Sequence, residues 1–433
     1  MSGVALLAQA QGYAISGCDL ESSTPYLEKL KKTDIKIYQG QDSSHLKGVD
    51  LVTASPAVFF QNADNPEVIE AKKKGLMTWQ EFLGKYLQKD KEVICVAGTH
   101  GKSTTTSMLS LLFEDAGLDP WAMIGANVPK WNSNARVGKN EIFITESDEF
   151  YDSFLNYSPQ VIILNNIELD HPDYFKSEDQ LFESFSKHIK SLYGKKILVF
   201  NQDSAGIKKL FIKLGKEYLS TLNLVGYSLK GKQINLDKDQ TSFVVGKDKY
   251  VLMIPGKINI ANALGVIVAA KFYNIPSRII QKSLMEYGGI DRRLELLGEK
   301  NGIKIYDDYA HHPTAIAATL EALRQKYTDK LILAVIEPHT FSRTKVLLDL
   351  YKDAFVNADE VIVAPIFRSR DTKDFGINGQ NIVAVSKHNK ISYIDSFGKI
   401  VEHVKANKQK YDVIVVMGAG KSYQLARDVL SQI

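Results

Sequence analysis

The stretch that most constrains this chain is Glu92–Thr106, EVICVAGTHGKSTTT, an apolar run that enters a glycine-bracketed turn and then a Ser/Thr run. The apolar part predicts a short buried strand, and the residues after Gly101 predict a helix. Glycines let a backbone wrap closely round an anion, and the helix start aims N–H groups at it. In such a turn Lys102 reaches terminal phosphates and the Ser103 hydroxyl sits on Mg2+. The spacing is not the full GxxxxGKS pattern, because Val96 stands where that pattern has its first glycine.

Strand-like runs alternate with helical stretches almost throughout, which predicts α/β layers with mostly parallel sheets. At 433 residues the chain exceeds one ordinary domain, and we divide it into three. Residues 1–90 form a Rossmann-like domain with strands in YAISGCDL, IKIYQG and DLVTASPAV and a helix in TPYLEKLKK. Residues 91–291 form a central P-loop-type domain with strands in EIFITES, QVIILNN, KKILVF, TSFVVG and KYVLMIP and a helix in INIANALGVIVAAKFY. A linker lies at Gly288–Arg293, and residues 292–433 form a second Rossmann-like domain. Its strands are IKIYDDYA, KLILAVIEP, EVIVAPIF, ISYID and DVIVVMGAG, with Pro313 just inside a helix start.

In open α/β sheets, ligands gather beyond the carboxyl ends of the strands. Three such ends belong to the central domain: the Gly98–Thr104 loop, ESDEF from Glu146, and NNIELDHPDYF from Asn165. Their hard carboxylate oxygens suit Mg2+, which an ATP site needs to bridge phosphates. The third domain supplies DDYAHHPT and EPHTFSRT at strand ends, so His311, His312, His339 and Arg343 are suited to anionic substrate groups. A second phosphate-like turn, GAGKS at Gly418–Ser422, has no acidic partner nearby in sequence and is expected to be structural or to complete another site.

The bulk composition excludes several classes. Net charge is only +4, and Lys72–Lys74 reads as a solvated helix face rather than a nucleic-acid footprint. No apolar run approaches the ~20 residues that cross a bilayer. Cys18 and Cys95 stand far apart without metal-ligand spacing, which fits a reducing, cytoplasmic setting.

Taken in order, GTHGKSTTT, ESDE, NNIELDHPDYF, PGKINIANA, RRLE, DDYAHHPT, EPHTFSRT and GAG resemble the Mur ligase family from Ser2 to the end of the chain. The set most resembles the branch that joins L-alanine to UDP-N-acetylmuramate in peptidoglycan precursor synthesis. The resemblance implies that ATP phosphorylates the muramic acid carboxylate to an acyl phosphate, which the amine of L-alanine then attacks. It implies that Gly98, Thr99, His100, Gly101, Lys102, Ser103 and Thr104 form the ATP phosphate loop, with Asn259, Asn262 and Arg292 or Arg293 also facing ATP. Ser103 and Glu146 would hold one Mg2+ and His171 a second. His339 and Arg343 would handle the alanine or muramyl carboxylate, with His311 and His312 nearby, and Asp19 and Ser55 would serve the uridine nucleotide. Catalysis would rest on Lys102, Glu146, His171, His311 and Arg343.

Ser103 replaces the family's usual Thr but keeps the hydroxyl. No equivalent appears of the carbamylated lysine that some sister ligases use. The family opens with a strand and a GxGGxG-type loop for the UDP group, and this chain begins at what resembles the following helix. Weak binding of the UDP substrate and an upstream start, encoding a Val/Ile-rich strand, are therefore expected. Alternatives are the branch that attaches a tripeptide, which shares ILNN and HHPTAI, and a non-catalytic nucleotide-binding relative. HTFSRT speaks against the tripeptide branch, and intact Lys102, Glu146 and His171 against the non-catalytic relative.

Overall fold

In the computed structural model the described residues are 1–21, 24, 27–56, 58 and 64–433, without the side chains of residues 28–29. Residues 25 and 26 of the expected TPYLEKLKK helix and residue 57 of the DLVTASPAV run lie outside them, and what is described of the two reduces to Leu27–Leu30 and β3 (Thr53–Ala54). The N-terminal region carries two parallel pairs: β1 (Ser16–Asp19) with β2 (Lys36–Gln39), and β3 with β4 (Met77–Thr78). Its first helix, Ser2–Ala10, buries Val4, Leu7 and Ala8 in a core shared with Phe82, Leu83 and Leu87 and with the central domain. Gly3 sits so close to that domain that a Cβ would lie 2.8 Å from Met123 Sδ.

The central domain is built on a seven-stranded sheet of β5 (Glu92–Ala97), β6 (Trp121–Val128), β7 (Ser133–Arg136), β8 (Ile142–Ser147), β9 (Val161–Leu164), β10 (Ile197–Asn201) and β11 (Asn223–Tyr227). Their order is β11-β10-β9-β5-β8-β6-β7, parallel except for the β6–β7 edge pair. Continuous burial of β5 and β9 explains their unbroken apolar runs, as expected of strands covered on both faces. Helices Lys102–Asp115 and Lys257–Phe272 cover one face. The first is rich in Ser and Thr yet buried, because hydroxyls bond back to the preceding turn: Thr106 to the Lys102 carbonyl at 2.8 Å and Ser110 to that of Thr106 at 2.7 Å. TSFVVG and KYVLMIP do not join the parallel sheet. They form, with β12 (Ile234–Leu236), a separate antiparallel sheet of β13 (Thr241–Val245) and β14 (Asp248–Leu252).

The third domain is a six-stranded sheet of β15 (Glu295–Lys300), β16 (Ile303–Asp308), β17 (Ile332–Glu337), β18 (Glu360–Val363), β19 (Ile391–Tyr393) and β20 (Val413–Gly418). The order is β15-β16-β20-β17-β18-β19, with only β15–β16 antiparallel. His312 caps the helix Pro313–Lys326, its Nδ1 accepting from the Thr314 amide at 3.2 Å. Between Glu286 and Glu295 the chain has no regular element, and Asp291 ties it to the central domain through Asn127 at 3.0 Å. No helix among the described residues is long and apolar enough to cross a membrane.

Candidate active site

Strand register decides which loops meet. Val96 pairs with Glu146 and Ala97 with Leu164, so the loops after β5, β8 and β9 leave the sheet side by side. In the third domain Glu337 pairs with Gly418 and Asp308 with Met417, which gathers the ends of β16, β20 and β17. The two sets of strand ends face each other across a cleft of 2370 Å³ that all three domains line.

The first loop is held by its neighbour. The Thr99 hydroxyl accepts from the Glu168 amide at 2.9 Å, and the His100 amide donates to the Asn166 side chain at 2.8 Å. Gly98 and Gly101 have φ of 132° and 79°, conformations that L side chains rarely adopt. A Cβ on Gly101 would also lie 2.3 Å from Asn262 Oδ1, so helix Lys257–Phe272 is pressed against the loop. Asn259 lies one turn earlier, its amide donating to the Pro255 carbonyl at 2.7 Å, and both asparagines line the cleft.

Lys102 Nζ lies 2.7 Å from Glu149 and 3.3 Å from Asp148. Burial disfavours its charge, but Glu149, Asp148 and Glu146 outweigh burial and hold it protonated well above the usual lysine range. Burial in turn pushes the Glu149 carboxyl up. Glu146 accepts from the Gly125 amide at 2.7 Å, and a Cβ at Gly125 would press on its carboxylate. The acidic partners of Lys102 were overlooked in ESDEF, where Glu146 alone was singled out; the signal was three carboxylates at a strand end. Ser103 is buried at the helix start. The donor set of Ser103 hydroxyl with the Glu146 and Asp148 carboxylates consists of hard oxygens and fits Mg2+.

His171 has neighbours that its sequence motif does not announce. Its Nδ1 faces two guanidinium groups, Arg343 at 3.1 Å and Arg370 at 3.3 Å. Guanidinium groups only donate, so Nδ1 accepts and the proton of the neutral ring sits on Nε2. A ring nitrogen of His171 nonetheless lies within 4.8 Å of carboxylate oxygens of Asp148 and Glu149, a donor group compatible with a cation. Arg343 also differs from the substrate fork expected of it. It is buried, with Nε on Asp170 at 2.6 Å and one terminal nitrogen on the His339 carbonyl at 2.9 Å and on His339 Nδ1 at 3.0 Å. Its guanidinium is thereby committed to a bridge between the central and third domains. Arg370 forms a parallel bridge to Asp173 and lies 4.1 Å from the Phe150 ring centre. Nothing local in sequence could pair residues that far apart.

His311 donates from Nδ1 to the Tyr309 carbonyl at 2.9 Å, which leaves Nε2 as the acceptor. The His339 ring stacks on Phe367 and lies 5.7 Å from that of His311. His100 and His312 rings are 4.8 Å apart, with Glu168 between them at 3.3 Å from His100 and 4.0 Å from His312. Burial pushes the Glu168 carboxyl up, but the hydrogen bond and charge of His100 prevail and bring it to about 2. Asp19 and Ser55 line the far, N-terminal end of the same cleft.

Arg292 requires a correction. The residue takes a φ of 60°, and its side chain turns back into the third domain, to Asp307 at 3.2 Å, the Gly418 carbonyl at 2.8 Å and Ser422 at 3.1 Å. Rings of Tyr309 and Tyr423 flank it at 4.9 and 5.2 Å. Arg293 instead reaches the phosphate loop, 3.3 Å from Ser103 Oγ. Arg293→Ala should therefore raise the KM for ATP about tenfold or more, the worth of a charged hydrogen bond, whereas Arg292→Ala should chiefly lower Tm. ATP kinetics and thermal melts on both variants check this, and equal effects on KM would contradict it. The GAGKS turn is structural: its helix start is taken by Glu337, which accepts from the Lys421 and Ser422 amides at 3.2 and 2.9 Å.

Burial is the main cause that pushes His312 down to about 4 and His339 and the core His188 to about 3. An unfolded chain binds these protons near pH 6.5, while the folded chain refuses them. Stability is thus complete above about pH 6.5 and falls as pH drops toward about 4. Thermal melts should show a clear loss of Tm between pH 7 and 5; a flat Tm over that interval would contradict the burial assignment.

With this geometry established, relatives can be placed. Family models match in chain order: Mur ligase family, catalytic domain, over residues 1–91; Mur ligase middle domain over 96–270; and Mur ligase, glutamate ligase domain, over 292–420. The chain belongs to the Mur ligase family. It is 37% identical to the UDP-N-acetylmuramate–L-alanine ligase of Clostridium botulinum (strain Langeland), covering 98% of this chain and 94% of that protein. It is 34% identical to the enzyme of the same name from Caldicellulosiruptor bescii, covering 97% and 93%. Among solved structures, the UDP-N-acetylmuramate–alanine ligase of Thermotoga maritima shares the fold, with a TM-score of 0.80, 22% identity, and 100% and 96% coverage. The murein peptide ligase of Psychrobacter arcticus aligns with a TM-score of 0.70, 25% identity and the same coverage.

Proposed function

We propose that this chain is an ATP-dependent ligase that joins L-alanine to the carboxylate of UDP-N-acetylmuramate in cytoplasmic peptidoglycan precursor synthesis. The observation that carries the reading is the opposition, across one cleft, of Lys102 among strand-end carboxylates and of the third domain's His311–His339 pair. The curated relatives, similar over nearly the whole chain, bear the same activity in their names.

The loop amides and Lys102 bind the ATP phosphates, and Lys102 with Arg293 meets the charge that grows on the transferring group. Ser103 and Glu146 would hold Mg2+, which would supply neutralisation of phosphate charge. A muramyl carboxylate oxygen attacks the γ-phosphorus and ADP leaves, giving an acyl phosphate. The neutral amine of L-alanine attacks the acyl carbon and sheds its extra proton to solvent, and collapse of the tetrahedral intermediate expels phosphate and forms the amide. His311, neutral and with Nε2 accepting, takes a hydrogen bond from that amine. Arg343 and Arg370 hold the third domain's side of the site against Asp170 and Asp173, so their part is positioning. Domain units at 1–90, 91–291 and 292–433 fit this division of labour.

Phosphate release from ATP with UDP-N-acetylmuramate, screened over single amino acids and the tripeptide of the recycling branch, tests the proposal. Release dependent on L-alanine is expected, and release with the tripeptide alone would overturn it.

A further inference from the structure

We propose that Cys18, His45 and Glu67 form a binding site for a thiophilic divalent cation of the Zn2+ type, apart from the ATP site. Three distant segments bring them together: the end of β1, the 3-10 turn Ser43–Leu46, and the first turn of helix Pro66–Lys73. The Cys18 thiol lies 3.3 and 3.4 Å from the two Glu67 oxygens, and His45 Nδ1 lies 3.3 Å from Glu67 Oε1. One candidate ligand atom from each residue falls within 4.8 Å of the others. Zinc bonds of about 2.0–2.3 Å at tetrahedral angles put neighbouring ligand atoms about 3.3–3.6 Å apart. The thiol–carboxylate and imidazole–carboxylate separations already have that size.

Charge argues the same way. Glu67 is buried, and among the described residues its ion-pair partner is His45, with no Lys or Arg. A buried carboxylate wants a cation, and here it is offered only a thiol hydrogen and an imidazole. The imidazole is oriented beforehand by Tyr38, stacked on it at 4.3 Å and 15°. Cys18 is exposed and lines the cleft, so an ion has an open path and a free fourth position for water. On binding, the thiol loses its proton to solvent and the proton that His45 Nδ1 shares with Glu67 shifts to Nε2, so a neutral imidazole and a thiol together release one proton per ion. The set mixes sulfur, nitrogen and one carboxylate, which selects a borderline-soft ion over Mg2+.

Co2+ reports such a site, because a thiolate ligand adds a sulfur-to-cobalt charge-transfer band that oxygen sites lack. Full-length Cys95→Ser protein, which leaves Cys18 as the sole thiol, is titrated with Co2+ without nucleotide and then with competing Zn2+. The expected result is a thiolate band saturating at one Co2+ per chain and abolished by Zn2+. Adding Cys18→Ser should erase it, and His45→Ala or Glu67→Gln should weaken binding at least about tenfold, with circular dichroism confirming folded variants. No band in the Cys95→Ser protein, a band that survives Cys18→Ser, or unchanged affinity in folded His45→Ala and Glu67→Gln would each overturn the site.

Discussion

Lys102→Met is expected to reduce ligase turnover by at least about a hundredfold while leaving the chain folded. A charged contact to phosphate is worth about 1.5–3 kcal/mol, and more where it strengthens in the transition state; at ~1.4 kcal/mol per decade the loss reaches that size. Folding survives because the carboxylate left behind is already poised to take a proton: burial pushes Glu149 up, and losing Lys102 pushes it further. Steady-state kinetics and a thermal melt of the variant check both halves. Near-normal turnover would move phosphate binding away from Gly98–Thr104. The GAGKS turn could not take over, because Glu337 fills its helix start.

Arg343→Ala should be the most damaging change in the third domain. It would strand Asp170, 5% exposed, and remove the donors that fix the His339 carbonyl and the His171 ring. Breaking a buried ion pair by deleting one partner costs about 3–5 kcal/mol, so a large fall in Tm should accompany loss of activity. Arg343→Lys should recover the ion pair but not the two-sided bridge, and so leave turnover low with partial recovery of Tm. Unfolding curves and kinetics on both variants test this; an intact Tm in Arg343→Ala with only a raised KM for one substrate would return Arg343 to the role of substrate fork.

The parts of this architecture that sequence made legible are those whose signals are local. β5, β8, β9, β16, β17 and β20 are rich in Val, Ile and other apolar residues and largely buried, and all but β20 end in polar clusters that line the cleft. The turn after β5 could be read because glycine spacing and the following Ser/Thr run serve one backbone shape. Edge elements were harder. β6 begins with Trp121–Gly125 and pairs with β7 across a register shift, so no clean alternation marks either strand. Where tertiary partners decide, pattern reasoning went astray: Arg292 and Arg293 are adjacent, chemically alike and both over the Tyr309 ring, and the Asp307 carboxylate, the Gly418 carbonyl, Ser422 and the Tyr423 ring turn the first away from the loop. The two arginines of the third domain that face His171 Nδ1 are likewise invisible in DHPDYF, because they lie more than 170 residues away.

The most direct test supplies the purified chain with ATP, L-alanine and UDP-N-acetylmuramate carrying 18O in its carboxylate. The account predicts one 18O atom in the released phosphate for each amide formed, with the product heavier than the labelled substrate by one alanine less one water that carries 18O. Phosphate free of 18O, or phosphate release without an alanine-bearing product, would contradict it.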